Sequence, residues 1–110
     1  MPLSDGTSVD FSITFRHTEA TEAIKSYVNE KLGHSVRKFI HGGNISASVV
    51  LEVEKKDHTA EIKLHHGEHD LALKASTSDL YSAIDKLASS LEVQLRKQKE
   101  KQVKGKHAAR

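Results

Sequence analysis

The residues of this chain that could do chemistry are its cations, its histidines, and scattered serines and carboxylates; only the cations are patterned. Residues 96–110 hold seven Lys/Arg against one Glu, a local charge of +6. The other 95 residues hold ten Lys/Arg against fourteen Asp/Glu, so a net +2 conceals a mildly acidic body with a strongly basic end. Clustered cations seek phosphate, because meeting a polyanion releases condensed counterions. At 100° per residue, Lys86, Val93, Lys97, Lys101 and Lys104 fall within about 80° of one another on a helix, with Arg96 and Lys99 flanking that line. The simpler account is a solvated face. Ordinary surfaces mix both signs, however, and this one carries a single acid, which favours polyanion binding. Farther upstream, Lys25, Lys31, Arg37 and Lys38 are interleaved with Glu22 and Glu30 and by themselves read as common surface. Lys31 lies near an apolar stripe, where its stem can pack while the ammonium reaches water.

The histidines do not assemble into a metal site. His65 and His66 are adjacent on an expected strand and so point to opposite faces, with His58 and His69 at the ends of the same hairpin. No helical His-x-x-x-His pair with a catalytic Glu occurs, and the chain has no cysteine for a structural zinc. Nucleophile-elbow, Gly-x-Gly-x-x-Gly and phosphate-loop patterns are also missing, so neither catalysis nor a cofactor is expected. At 110 residues the chain makes one domain, large enough for a core but not for a cleft with lids. Lack of cysteine fits a reducing compartment, and residues 1–10 resemble no signal or transit peptide; the expectation is cytoplasmic, with no membrane and no small-molecule substrate.

Six elements must position the cations. Period-two alternation predicts strands at Val9–Phe15, Ile45–Glu54, Ala60–Leu64 and Leu71–Ala75, each with one wet face. A tight turn is expected at Gly67-Glu68 and a slightly longer one at Lys55–Asp57. A helix is expected from about Glu19 to Phe39, capped by Thr18, with Glu19 and Glu22 in its first turn and a stripe of Ile24, Tyr27, Val28, Leu32, Val36 and Phe39. Gly42-Gly43 marks its exit. A last helix begins at a Ser78 or Asp79 cap and carries Leu80, Ile84, Leu87, Leu91 and Leu95. The expected fold is α+β, in the order β-α-β-β-β-α: a four-stranded mixed sheet with both helices on one face. Strands one and two pair parallel through a right-handed crossover, and the rest form antiparallel hairpins. Residues 1–8 are expected as a flexible N-terminus, 9–101 as the domain and 102–110 as a basic flexible tail. The outer sheet face, with Ser12, Thr14, Ser46, Ser48, Glu52, Lys63 and Lys74, offers no aromatic platform for stacking bases. Any nucleic acid would be met through charge and shape on helices and loops.

From the first helix onward the order resembles the double-stranded RNA-binding domain with an extra strand in front, although the basic cluster here lies at the end of the last helix. The details resemble the ribosome hibernation-promoting factor and ribosome-associated inhibitor family, also called sigma-54 modulation proteins, in its short form. The stretches that carry this are Thr21–Val28, Val53-Glu54-Lys55 with His58–Ile62, Asp79–Asp85, and Leu91-x-x-Gln94-Leu95-x-Lys97-x-Lys99-x-Lys101. The resemblance implies a protein that occupies the small ribosomal subunit where mRNA and tRNAs would lie, contacts rRNA through both helices and blocks translation in starved or stationary cells. The implied contacts are Lys25 and Lys31 from the first helix and Lys86, Lys97, Lys99 and Lys101 from the last; Arg96 and Lys104 extend the set along the basic stripe. Free in solution, such a protein is expected to be a monomer. Three residues depart from the family pattern: Val93 where Arg is frequent, His34 where Lys is common, and Ser35 where an apolar residue is expected. With the sequence ending at Arg110, the resemblance is to the short form, expected to lack the second domain of long members and an acidic tail. An alternative reading makes it a protein–protein modulator, for instance of a transcription factor, that binds through the wet sheet face.

Overall fold

The alternation written into the strands fixes which residues share a sheet face, and the computed structural model, which describes residues 7–66 and 69–108, shows the resulting rows. The elements are β1 (Thr7–Arg16), α1 (Glu22–Phe39), β2 (Gly43–Glu54), β3 (Asp57–His66), β4 (His69–Thr77) and α2 (Leu80–Ala108). The strands lie side by side in chain order. β1 pairs parallel with β2, while β2–β3 and β3–β4 are antiparallel. This is the expected mixed sheet in the expected order.

Three rows of four cross the inner face. They are Phe11, Ala47, Leu64 and Leu71, then Ile13, Val49, Ile62 and Leu73, then Phe15, Leu51, Ala60 and Ala75. Side chains of the two central strands are buried, whereas those of the edge strand β1 are only partly covered. From α1 come Val28, Leu32 and Val36, and from α2 Leu80, Ala83, Ile84, Leu87, Ala88, Leu91 and Leu95. Both leucine-rich stripes therefore close on the same sheet face, as the periodicity requires.

Local chemistry moved some boundaries. α1 begins three residues later than expected: Thr21, not Thr18, is its cap, with an extended backbone and a hydroxyl oxygen that accepts from the Ile24 N–H at 3.2 Å. Just before it His17 adopts φ 58°, a turn out of the strand that leaves Thr18 outside any helix. The β2–β3 turn is tighter than expected, with Lys55 and Lys56 alone between Glu54 and Asp57, and Lys55 takes φ 57°. Gly42 and Gly43 take φ +80° and +86° in the α1–β2 exit, where a side chain would be strained. The expected Gly67-Glu68 turn and most of the N-terminal arm lie outside the described residues, as do residues 109–110. No break in the helical backbone marks the boundary expected at residue 101, since α2 continues to Ala108.

Candidate nucleic-acid interface

The two helices run parallel, because successive residues of α1 meet successive residues of α2. Tyr27 reaches Asp85, Ser35 reaches Ala88 and Glu92, and Phe39 meets Arg96. Parallel helices bring both positive dipole ends to one side and both negative ends to the other, so acids suit the first end and cations the second. Part of the charge follows that rule, with Lys25, Lys31, Lys86 and Glu92 as exceptions. Glu22, Asp79 and Asp85 lie at the starts of the helices, and Arg37, Lys38, Arg96, Lys97 and Lys99 toward the other end.

At the starting end the polar groups close on each other. Asp79 caps α2, its Oδ1 accepting from the N–H groups of Tyr81 at 3.0 Å and Ser82 at 3.3 Å. Hydrogen bonds from Ser82, hydroxyl first and then backbone N–H, hold the Asp79 carboxyl below its usual range. Tyr27 donates its phenolic O–H to Asp85 Oδ1 at 2.6 Å, and this bond, ahead of desolvation, pushes its pKa up to about 12. Its ring meets that of Tyr81 edge to face at 4.9 Å. Lys31 Nζ sits 3.6 Å from the same Asp85 oxygen and 5.8 Å from the Tyr27 ring centre. Lys25 Nζ pairs with Glu22 at 3.6 Å. Both α1 cations implied as contacts thus already face carboxylates of their own chain.

Midway, Ser35 is the only polar residue buried in the core among the described residues. Its hydroxyl donates to Glu92 Oε2 at 2.8 Å, and Lys38 Nζ holds the other oxygen at 3.1 Å. The Ser35 bond first, then Lys38, keeps the Glu92 carboxyl below its ordinary value. The sequence shows Ser35 only as a polar residue on an apolar stripe. Its partner fifty-seven residues away becomes evident when the helices pack.

The other end differs. Lys97 and Lys99 are exposed there, as is Lys86 nearer the start of α2, and among the described residues none of the three belongs to an ion pair. Arg96 lies over the Phe39 ring at 5.7 Å and is exposed. Val93, 45 % exposed, interrupts the line between Lys86 and Lys97 as the helical wheel requires. Lys99 departs from the expected line: about a sixth of a turn round from Arg96 on the side away from Lys97, it borders a cavity between α2, the end of α1 and the sheet. Lys101 and Lys104 sit on the helical backbone of α2, and their side chains lie outside the described residues. The structure thus joins Lys86, Arg96 and Lys97 on the open side of α2 and sets Lys25 and Lys31 apart from them. No helix among the described residues is long and apolar enough to cross a membrane, and they contain no cluster of three metal-ligating side chains.

On the opposite side of the sheet, small residues Ser12, Ser46, Ser48 and Ala72 floor a groove of about 540 Å³, bordered by Asp10, Lys63, His65 and Asp70. His65 and Asp70 pair across β3 and β4. It contains no aromatic side chain on its outer rows, in keeping with the sequence.

Comparison with known proteins bears on these surfaces. A family model described as "Sigma 54 modulation protein / S30EA ribosomal protein" matches residues 11–103. A Pseudomonas putida protein named ribosome hibernation promoting factor is 36 % identical over 91 residues, covering 83 % of this chain and 87 % of the relative. A protein of the same name from Escherichia coli is 34 % identical over 93 residues, or 84 % of this chain and 96 % of the relative. Among solved structures, the N-terminal domain of Thermus thermophilus Protein Y superposes with a TM-score of 0.71 at 31 % identity, covering 78 % of this chain and 93 % of that one.

Proposed function

Because this chain belongs to the sigma 54 modulation protein / S30EA ribosomal protein family, we propose that it is a ribosome-associated hibernation factor that meets rRNA of the small subunit with the open cationic side of α2. The observation that carries this reading is the row of exposed cations on α2, Lys86, Arg96 and Lys97, without carboxylate partners among the described residues. Side chains held in ion pairs must surrender a partner to reach phosphate; these need not. Lys99, Lys101 and Lys104 extend the cationic contact beyond the sheet. In this reading the factor works by occupancy in the decoding region, where mRNA and tRNA cannot share its volume, and it requires neither catalysis nor a cofactor. It acts as a cytoplasmic monomer on ribosomes idled by stress or stationary growth.

Sedimentation with ribosomes through sucrose gradients, at low and raised salt, tests the proposal. About five cation–phosphate contacts give a slope of roughly −3.5 in log K against log salt. The Lys97→Ala/Lys99→Ala/Lys101→Ala variant should retain its circular dichroism and flatten that slope by about 2. Ribosome affinity unaltered in the variant would remove the α2 assignment; protein remaining at the top of the gradient even at low salt would remove the ribosomal reading.

A second reading takes support from the outer-face groove, which could hold a protein segment. Leu95 is the last core residue of α2 among the described residues, so a chain ending there keeps the described core. A sheet-face binder retains its partner after loss of residues 96–110, whereas an rRNA binder releases the ribosome.

A further inference from the structure

The cavity beside Lys99 is a consequence of length. The 29 residues of α2 extend about 43 Å, whereas a ten-residue strand extends about 33 Å, so the helix overhangs the sheet at its cationic end. α1 has already ended there at the Ile40 cap. Nothing among the described residues fills the space beneath the overhang, and a cavity of about 280 Å³ remains. Its floor is Leu64 and Leu71 from the inner sheet face and Leu95 from α2, with Phe39 at the side. Its rim is His41, His66, Gln98 and Lys99, and among the described residues no carboxylate lines it. The His66 ring lies across Gly43, where an added Cβ would come within 3.8 Å of Nε2.

We propose that this cavity receives one unstacked base of single-stranded RNA, with its phosphate drawn to Lys99 and the adjoining cations of α2. The inference rests on the rRNA-binding reading and adds a base-accepting site to a surface otherwise argued from charge alone. An apolar floor suits the flat face of a heterocycle. Gln98 and the His66 imidazole offer both donors and acceptors to its polar edge, which an aliphatic side chain could not use. The cavity lies just below the 300–1,000 Å³ typical of small-ligand sites, a size for one nucleotide rather than a stacked run. Charge points the same way: Lys99 is the charged residue on the rim among the described residues, favourable for phosphate and unfavourable for a basic peptide. This site stands apart from the outer sheet face, where the lack of aromatics argues against stacking.

Isotope-labelled full-length protein titrated with each of the four nucleoside 5′-monophosphates, and in parallel with ribose 5-phosphate, tests the proposal by amide chemical shifts. At least one nucleotide should give saturable shifts at Gly43, His66, Leu71 and Gln98, roughly tenfold tighter than ribose 5-phosphate. Gln98→Phe, which fills the mouth from a half-buried position on α2, should weaken that nucleotide by a similar factor. Equal shifts from nucleotide and ribose 5-phosphate would overturn the base pocket, as would shifts confined to Lys86 and Lys97. Saturation at the same amides by N-acetyl-leucinamide but by no nucleotide would overturn it in favour of a protein side chain. The titration contains no ribosomes, so the two readings fail separately. Nucleotide shifts with no ribosome co-sedimentation would remove the proposed function and leave the pocket; co-sedimentation with no base-dependent shift would do the reverse.

Discussion

The starting end and the finishing end of the helix pair are built from the same kinds of residue and arrive at opposite surfaces. At the start, Lys31, Tyr27, Asp85 and Tyr81 satisfy each other across the seam, and Lys25 is held by Glu22. At the finish, Lys97 and Lys99 are exposed without ion pairs among the described residues, and the same is true of Lys86 farther back along the open side of α2. A count of cations on each helix misses this difference, because a lysine facing an internal carboxylate is already partly neutralised. Exposed pairs of this kind contribute about 0–1 kcal/mol to stability. What they change is which charges remain available to a polyanion.

Charge reversal gives the largest expected separation of the open side of α2 from the closed seam at the helix starts. Lys86→Glu/Lys97→Glu should lower ribosome affinity by roughly a hundredfold at moderate salt and flatten the salt slope by about 1.4. Lys25→Ala/Lys31→Ala should change affinity by less than about threefold, since those ammonium groups have carboxylates nearby. Gradient co-sedimentation over a range of salt measures both. Equal losses from the two double variants would abolish the distinction and restore α1 as a contact surface.

The finishing end can also be strengthened. Val93 is exposed between Lys86 and Lys97, and an apolar side chain there contributes nothing to the core. Val93→Arg completes the row and should tighten ribosome binding by about three- to tenfold, with a slope steeper by about 0.7. No gain would mean that this line of α2 does not meet phosphate.

Much of the frame that presents these residues was legible in the sequence, because period-two and 3.6-residue patterns report burial directly. All five leucines and isoleucines expected on the last helix are buried, and the β1–β2 pairing is parallel as their helical connection implies. The departures arose where a single hydrogen bond or a contact distant in sequence decides. Thr18 and Thr21 are equally good caps by type, and the turn at His17 selects the second. Lys31 reads as a free surface cation until Asp85 arrives from fifty-four residues away. Lys99 belongs to the basic run by composition, yet the twist of α2 turns it to the cavity. Sequence pattern thus locates the cations, and packing decides which of them remain open.

Between the ends, Ser35 and Glu92 offer a smaller and independent perturbation. Ser35→Ala removes the hydroxyl that Glu92 accepts from, at a buried position, and should cost about 1–2 kcal/mol, or roughly 5–10 °C in Tm. The Glu92 carboxyl titrates lower in the folded protein than its ordinary 4.5, so the unfolded chain binds more protons there. Its contribution is full above that value and fades as pH falls through the lower folded pKa. Wild type should therefore lose more stability than Ser35→Ala between pH 5 and acid, by thermal melts in matched buffers. Parallel curves for the two proteins would show that the bond does not hold the helices together.

The smallest effect concerns the closed end and is read by light absorption. The chain has two tyrosines, so Tyr81→Phe leaves Tyr27 as the sole phenol. In that background the phenolate band near 295 nm should grow in only around pH 12, because ionising Tyr27 places a second negative charge against Asp85 and breaks its hydrogen bond. Adding Asp85→Asn should bring the midpoint back toward 10.0, the ordinary value for tyrosine. The folded state holds the phenolic proton more firmly than the unfolded one, so this contribution to stability is complete below pH 10 and is lost as pH rises through 12. An unchanged midpoint in the Asn variant would mean that Asp85 is not engaged by Tyr27, and would leave it to Lys31 alone. The closed end would then be an ordinary ion pair, and the contrast with the open end would rest on that one lysine.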